Sequence, residues 1–210
     1  MPRVDVPLTR SSLLEAQAAL AHARQGFELL DRKREILIAE LVRTVEDAEG
    51  RRRELRRLLE AAYAELVRAR MAMGVERVRW AALAIPEDVE VRITERSVMG
   101  ASVPIVEVAA SPFRPRYSLA GTAAELDRAT QAFGALLEAV ARVAETETAI
   151  SRLASEIRKT RRRVNALRNV VIPRYEAIIK AVQEALEEAE REAFFRAKMQ
   201  KRLTSRGRAA

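Results

Sequence analysis

The chain has 210 residues, 38 Lys and Arg against 30 Asp and Glu, a formal net charge of +8 and no cysteine. That length holds one or two domains, and the missing cysteine excludes a disulfide framework and a thiolate metal site. Aromatic residues make up 4% and charged residues 32%, a mixture typical of long helices and coiled coils rather than of a thick globular core.

The first ten residues, 1–10, read as a lead; MPRVDVPLTRSS lacks the apolar stretch of a signal peptide. Residues 11–74 read as one helix. Pro7 and Thr9 precede it, and Thr9 or Ser11 suits the N-cap. Apolar residues recur at Leu13, Leu20, Phe27, Leu30, Leu37, Leu41, Val45 and onward to Met73, nearly always three, four or seven apart, the spacing of one helical face. Gly26 and Gly50 lie inside and cost about 1 kcal/mol each relative to alanine.

Residues 75–121 change character. VEVRITERSVMGASVPIVEVA alternates apolar and polar residues, so strands are expected near Val89–Glu95 and Val103–Val108, joined by a turn at Met99-Gly100-Ala101-Ser102. Pro104 demotes the second strand to an edge or a late start. Trp80 and Ile85 are expected as local core, and Ser111–Gly121 as loop.

The helical pattern returns over residues 122–205, followed by a tail, 206–210. Ile150, Ile157, Val164, Val171 and Ile178 form a strict heptad series, with Leu153, Leu167 and Val182 on the companion stripe. Each long helix carries a stripe it cannot bury alone, so the two should pack antiparallel, with seam residues Leu20, Phe27, Leu30 and Leu37 against Ile150, Ile157, Val164, Leu167, Val171 and Ile178. The expected fold is all-α dominated: a long antiparallel two-helix coiled coil with a small central β-hairpin region. Pairing Met73 with Thr122 sets Ser11 opposite Glu184, and the second helix then overhangs by about 20 residues, roughly 30 Å. The overhang carries Phe194, Phe195, Met199 and Leu203 among basic residues, and paired phenylalanines on a lone helix end need a seat.

KTRRRVNALRNVVIP, Lys159 to Pro173, carries Lys159, Arg161, Arg162, Arg163 and Arg168 within ten residues. Arg158, Arg162 and Arg168 should face outward, Lys159 and Arg163 flank the seam, and Arg161 falls beside the companion stripe and must snorkel. Pro173 removes the hydrogen bond to the Asn169 carbonyl and should kink the helix. His22 stands alone, without the companions a metal site needs. No G-x-x-x-x-G-K-[ST] occurs, which argues against nucleotide binding; no cofactor, catalytic or metal residue is expected.

The run TETAISRLASEIRKTRRRVNALRNVVIP, Thr146 to Pro173, resembles a C-terminal helix motif, E-T-x-x-x-[IL]-x-x-E-I-x-K-T-x-R-R-V-N-A-L-E-x-V-[VI]-I-P, of the D subunit of the vacuolar/archaeal-type (V/A-type) rotary ATPases. It matches at Glu145 or Glu147, Thr148, Glu156, Ile157, Lys159, Thr160, Arg162 to Leu167 and Val171 to Pro173, and departs at Arg168, where the family has Glu. Near the N-terminus Thr9-Arg10, Leu13-Leu14, Gly26, Leu29-Leu30 and Arg32-Lys33-Arg34 are similar to T-R-x-x-L-L…G-x-x-L-L-K-x-K-R-[DE], with Asp31 in place of the first basic residue. The resemblance implies a central rotor shaft, peripheral on the cytoplasmic face of the membrane and without catalysis of its own. It implies as partners the catalytic A and B subunits of a hexamer, the small F subunit, and a cap on the ion-translocating membrane sector. It implies a hexamer-facing surface that includes Arg32, Lys33, Arg34, Lys159, Arg161, Arg162, Arg163, Phe194 and Phe195.

Two other classes share parts of this pattern. A nucleic-acid-binding coiled coil fits the sequence pI of about 10.5, but lacks stacking aromatics and a DNA-binding motif, so no nucleic-acid partner is expected. A stalk or scaffold of an export apparatus fits the two-helix shape but needs no β-hairpin. No apolar run approaches the length of a membrane span, so no direct membrane insertion is expected.

Overall fold

The computed structural model describes residues 7–84, 89–110, 115, 117–118 and 121–207, the backbone alone for Ala110 and 202–207. Helix α1 spans Arg10–Met73 and α2 Val75–Ala84. Strands β1, Val89–Val98, and β2, Ala101–Ala110, form a two-stranded antiparallel sheet. Helix α3 spans Ala124–Ala166, a π-helical turn Leu167–Val171, and α4 Ile172–Gly207. The leading residues 1–6, Ile85, most of the expected Ser111–Gly121 loop and the last three residues lie outside the described set.

Thr9 is the N-cap of α1. Its hydroxyl accepts from the Ser12 N–H at 3.2 Å, and the Ser12 hydroxyl accepts from the Thr9 N–H at 3.1 Å, a reciprocal box built with serine where glutamate is usual. At the other end Gly74 takes φ +84°, a left-handed cap that closes α1 and starts α2. Helix α2 was not foreseen. Its Val78 and Ala81 are buried three apart, which turns Trp80 to solvent at 70% exposure and overturns its expected place in a local core.

The chain forms two compact units, one from residues up to Arg34 together with Lys159 onward, the other from Glu35–Arg158. In the first, Ala16, Ile178 and Val182 form the core with Leu13, Tyr175, Ile179 and Leu186 against it. Two cross-helix ion pairs mark the antiparallel register, Arg10–Glu190 at 2.6 Å and Arg24–Glu176 at 2.8 Å. Arg10 thus reaches further along α4 than the expected pairing of Ser11 with Glu184. Of the expected seam residues, Val164 and Ile178 are buried, and Leu20, Phe27, Leu30, Leu167 and Val171 are half-buried. Thr160 is buried and Arg161 exposed, so the companion stripe runs Leu153, Thr160, Leu167 at seven-residue spacing and Arg161 has no need to snorkel.

Pro173 meets a local solution. The Ile172 N–H bonds to the Leu167 carbonyl, five residues back, so the helix widens by one residue just before the proline. A π turn is one way a helix accommodates an insertion in its hydrogen-bond ladder.

In the second unit, Leu37, Ala149 and Leu153 share a core with Ala101 and Val103 of β2, and Leu41, Val98 and Ile157 pack on it. Ile150 is half-buried. The hairpin therefore lies back along α1 and α3, which the sequence pattern did not reveal. A second core joins Ala69 and Met73 to Val78, Ala81, Leu126 and Ala129. Tyr63 meets Phe133 edge to face at 5.7 Å. The Tyr117 hydroxyl donates to Asp127, and burial first, then that carboxylate, push its pKa up to about 12. No helix among the described residues is long and apolar enough to cross a membrane.

The strands are longer than expected and the turn tighter. Val98 pairs with Ala101, leaving a two-residue loop. Met99 at φ 49° and Gly100 at φ 79° give it the type I′ shape that matches strand twist. Three polar anchors tie the hairpin to the helices. Arg152 of α3 reaches Glu95 at 2.8 Å and the Ser102 carbonyl at 3.2 Å. Glu145 accepts from the Val106 N–H at 2.8 Å, and Arg96 faces Glu40 at 3.5 Å. The Val106 N–H thus points away from the sheet, and by the two-residue alternation so does position 104. Pro104 has no ladder bond to lose, which explains a proline inside a strand.

Two outcomes follow. Asparagine tolerates the left-handed region better than methionine, so Met99→Asn should stabilise the hairpin by about 1 kcal/mol. Amide exchange at Val98 and Ala101 should slow about fivefold; unchanged or faster exchange would contradict the turn assignment. The Glu95 carboxyl is held below the ordinary carboxylate range, first by the Ser102 hydroxyl and then by Arg152. A depressed folded pKa means this anchor is complete above the unfolded value and is lost as pH falls through the folded one. Carboxylate NMR should show the Glu95 midpoint moving part of the way back up in Arg152→Ala, and no movement would refute the contact.

Candidate interaction surfaces

The described residues hold no group of His, Asp and Glu fit to bind a metal. What the fold presents is surface, and its electrostatics are uneven. Many arginines on the paired helices find a carboxylate. Arg10 and Arg24 do so across the first unit. In the second unit Arg52 meets Glu147 at 2.8 Å, and Arg51 spans Asp47 and Glu145 at 2.9 and 3.5 Å. Glu145 and Glu147 thus flank Thr146, whose hydroxyl donates back to the carbonyls of Arg142 and Val143. Both acidic positions at the start of the basic motif bind α1, and Glu145 binds the hairpin as well.

Arg161, Arg162 and Arg163 differ. All three are exposed, and no carboxylate among the described residues lies within ion-pair distance of any of them. Arg53, Arg56 and Arg57 on α1 in the second unit are exposed in the same way, beside the paired Arg51 and Arg52. Arg32 is exposed in the first unit, Lys33 is half-buried, and Arg34 pairs with Asp31 at 2.6 Å. Carried on at the spacing of the Arg10 and Arg24 pairs, Arg32–Arg34 fall within about two turns of Arg161–Arg163. Lys159 is exposed and has a partner of its own. The expected basic residues therefore belong to one unit, but only part of them is free of internal pairing.

Three apolar surfaces stand open. Past Glu190, residues 191–201 of α4 are exposed throughout, with Phe194 at 69% and Phe195 at 68%. On the second unit Met71, Val75, Trp80 and Leu83 are exposed on either side of the turn from α1 into α2. Trp80 and Leu83, three apart on α2, share a face of it. The third surface is strand β1, exposed from Val89 to Ser97, with Val91 and Ile93 open. A polar cleft of about 520 Å³ opens beside β2, lined by Arg43, Asp47, Arg51 and Arg96 among others. Its charges are of both signs, and the anchors already described cross it.

Sequence reasoning missed the anchoring residues Glu40, Glu95, Glu145 and Arg152. Only Glu145 carried a signal, as a motif match, and the partner of each is far away along the chain. The π turn was missed because Pro173 predicts a broken bond but not how the helix absorbs it.

The chain matches the family model described as the ATP synthase D subunit over residues 12–202. It is 40% identical to the V-type ATP synthase D subunit of Thermotoga neapolitana, over 97% of this chain and 100% of that one. It is 39% identical to the A-type ATP synthase D subunit of Thermococcus gammatolerans, over 95% of each chain. With the corresponding A-type protein of Pyrococcus horikoshii it shares 37% identity over 97% of each. A two-helix antiparallel fold with a small hairpin, carrying the RRVNAL and VVIP segments on its second long helix, and matched along nearly its whole length, belongs to the family of ATP synthase D subunits.

Proposed function

We propose that this chain is the central rotor subunit of a V/A-type rotary ATPase. It transmits torque between the catalytic A and B subunits and the ion-translocating membrane sector, and performs no bond chemistry itself. The observation that carries the mechanism is the contrast between paired and unpaired arginines. Arg10, Arg24 and Arg52 meet carboxylates of the same chain across the helix pair, but Arg161, Arg162 and Arg163 have none among the described residues. Three consecutive guanidinium groups left open on a helix pair fit a second body that supplies the carboxylates.

The chemistry suits a turning shaft. Solvated ion pairs contribute about 0–1 kcal/mol each, so a set of them can bias angular position without a deep trap. The end of α4, with Phe194 and Phe195, has the apolar surface that a bearing at the far side of the hexamer would hold. The α2 face with Trp80 and Leu83 suits the cap of the membrane sector, where grip rather than slip is needed. In this reading the chain lies in the peripheral part of a membrane-bound complex, on the cytoplasmic face of the membrane, and the F subunit rides on the shaft.

Two outcomes test it. Co-expression with A, B and F should give one copy of this chain per hexamer. Changing Arg161, Arg162 and Arg163 together to Gln should then lower ATP hydrolysis severalfold and flatten its salt dependence. Hydrolysis identical in rate and salt response would refute the guiding role. Trp80→Ala should leave hydrolysis by the soluble A/B assembly unchanged but lower hydrolysis-driven ion pumping in the full membrane complex. Equal pumping would remove Trp80 from the coupling contact.

A further inference from the structure

The second long helix carries one residue more than its seam needs. From Leu153 its inward series runs Ile157, Thr160, Val164 and Leu167, then Ile172, Tyr175, Ile179, Val182 and Leu186, each buried or half-buried. The steps alternate four and three, the spacing of a coiled-coil seam, with a single exception. Leu167 to Ile172 is a step of five, and there the Ile172 N–H bonds to the Leu167 carbonyl five residues back. The π turn is therefore an inserted residue. Arg168, Asn169 and Val170 are exposed, so the insertion bulges outward and the seam keeps its phase on both sides.

The insertion weakens the backbone locally. In an α-helix the Arg168 carbonyl would accept from the Ile172 N–H, which here goes to Leu167. Pro173, the next position along, has no N–H to offer it, and the Asn169 carbonyl loses its α-helical donor to the same proline. Two successive carbonyls thus leave the ladder on the solvent side. None of Leu167–Val171 is buried, whereas Val164 before it and Ile178 after it are. Pro173 also holds the insertion in place. A π turn migrates when each N–H in turn passes to the next carbonyl, and toward the C-terminus the next N–H required is the one proline lacks. Toward the N-terminus the bulge would enter the turn that buries Thr160 and Val164.

We propose that Leu167–Val171 is a flexure, a pinned one-residue insertion at which the second helix bends and twists more readily than the α-helical turns on either side. Local stability follows buried contacts and intact backbone bonds, and this stretch gives up some of both. Its use under load rests on the rotor reading. Along the chain it comes after Leu153 and Ile157, which carry the hairpin, and before the exposed Phe194 and Phe195. Twist applied between those two regions is then taken up at the π turn rather than by the packed seam.

Two measurements separate the flexure from its use. In the full ¹⁵N-labelled chain, amide exchange at Val171 and Ile172 should be at least tenfold faster than at Val164 and Ile178. A variant with Val170 deleted and Pro173→Ala restores the four-three spacing throughout. It should unfold at or above the wild-type midpoint, with exchange at Val171 and Ile172 slowed at least tenfold. Pro173→Ala alone keeps the inserted residue and should keep the fast exchange; slow exchange there would assign the softness to the proline and overturn the insertion. Uniform exchange along the wild-type helix, or a deletion variant that unfolds well below wild type, would also overturn it. In the assembled complex, with A and B fixed and a bead on Met99→Cys, the angular spread within a dwell should narrow at least twofold in the deletion variant. An unchanged spread would overturn the role under load. A wild-type complex that does not rotate would remove the rotor reading and leave the exchange result standing.

Discussion

The structure depends on one constraint: neither long helix can bury its apolar stripe except against the other. Fully burying a leucine contributes about 2 kcal/mol, and residues such as Leu37, Leu153 and Val182 reach that state only in the paired arrangement. Small residues make the approach close. Ala48, Ala62 and Ala69 on α1 and Ala129 and Ala149 on α3 are buried, as are the larger Leu126, Leu136 and Val143 of α3. Where polar side chains enter the helices, threonine serves. Thr44, Thr130 and Thr146 donate to the carbonyl four residues back, so their hydroxyls need no partner across the seam.

The helix pair in turn provides a platform. A two-stranded hairpin alone is marginal in water. Here Ala101 and Val103 share a core with Leu37, Ala149 and Leu153, and Arg152 and Glu145 hold the two strands by side chain and backbone. The same helices close over Val78 and Ala81 of α2. These additions consume the inner surfaces. They leave outward the features a transmission element needs: unpaired arginines and an apolar α2 face.

Much of the fold was legible because it is local. Heptad spacing from Ile150 to Ile178 announces a seam, and alternation between Val89 and Val108 announces a hairpin. The rest was hidden for physical reasons. VERVRWAALA is short, with valines that suit either state, and its helix forms because Val78 and Ala81 find a distant core. Thr160 looks polar in the sequence yet occupies the stripe position between Leu153 and Leu167. Ion-pair state cannot be read from charge spacing: Arg51 and Arg52 look as free as Arg161 and Arg162 until Glu145 and Glu147 arrive from another helix. The candidate surface was therefore visible as a cluster of arginines, and only the fold separates those that hold the shaft together from those left for a partner.

The most direct measurement is rotation itself. The chain has no cysteine, so Met99→Cys at the hairpin tip creates a single attachment point for a bead or gold particle on complexes whose A and B subunits are fixed to a surface. Under ATP the probe should turn in one direction, with dwells spaced by a third of a turn. A probe that stays still, or diffuses without direction while the same complexes hydrolyse ATP, would contradict the rotor account.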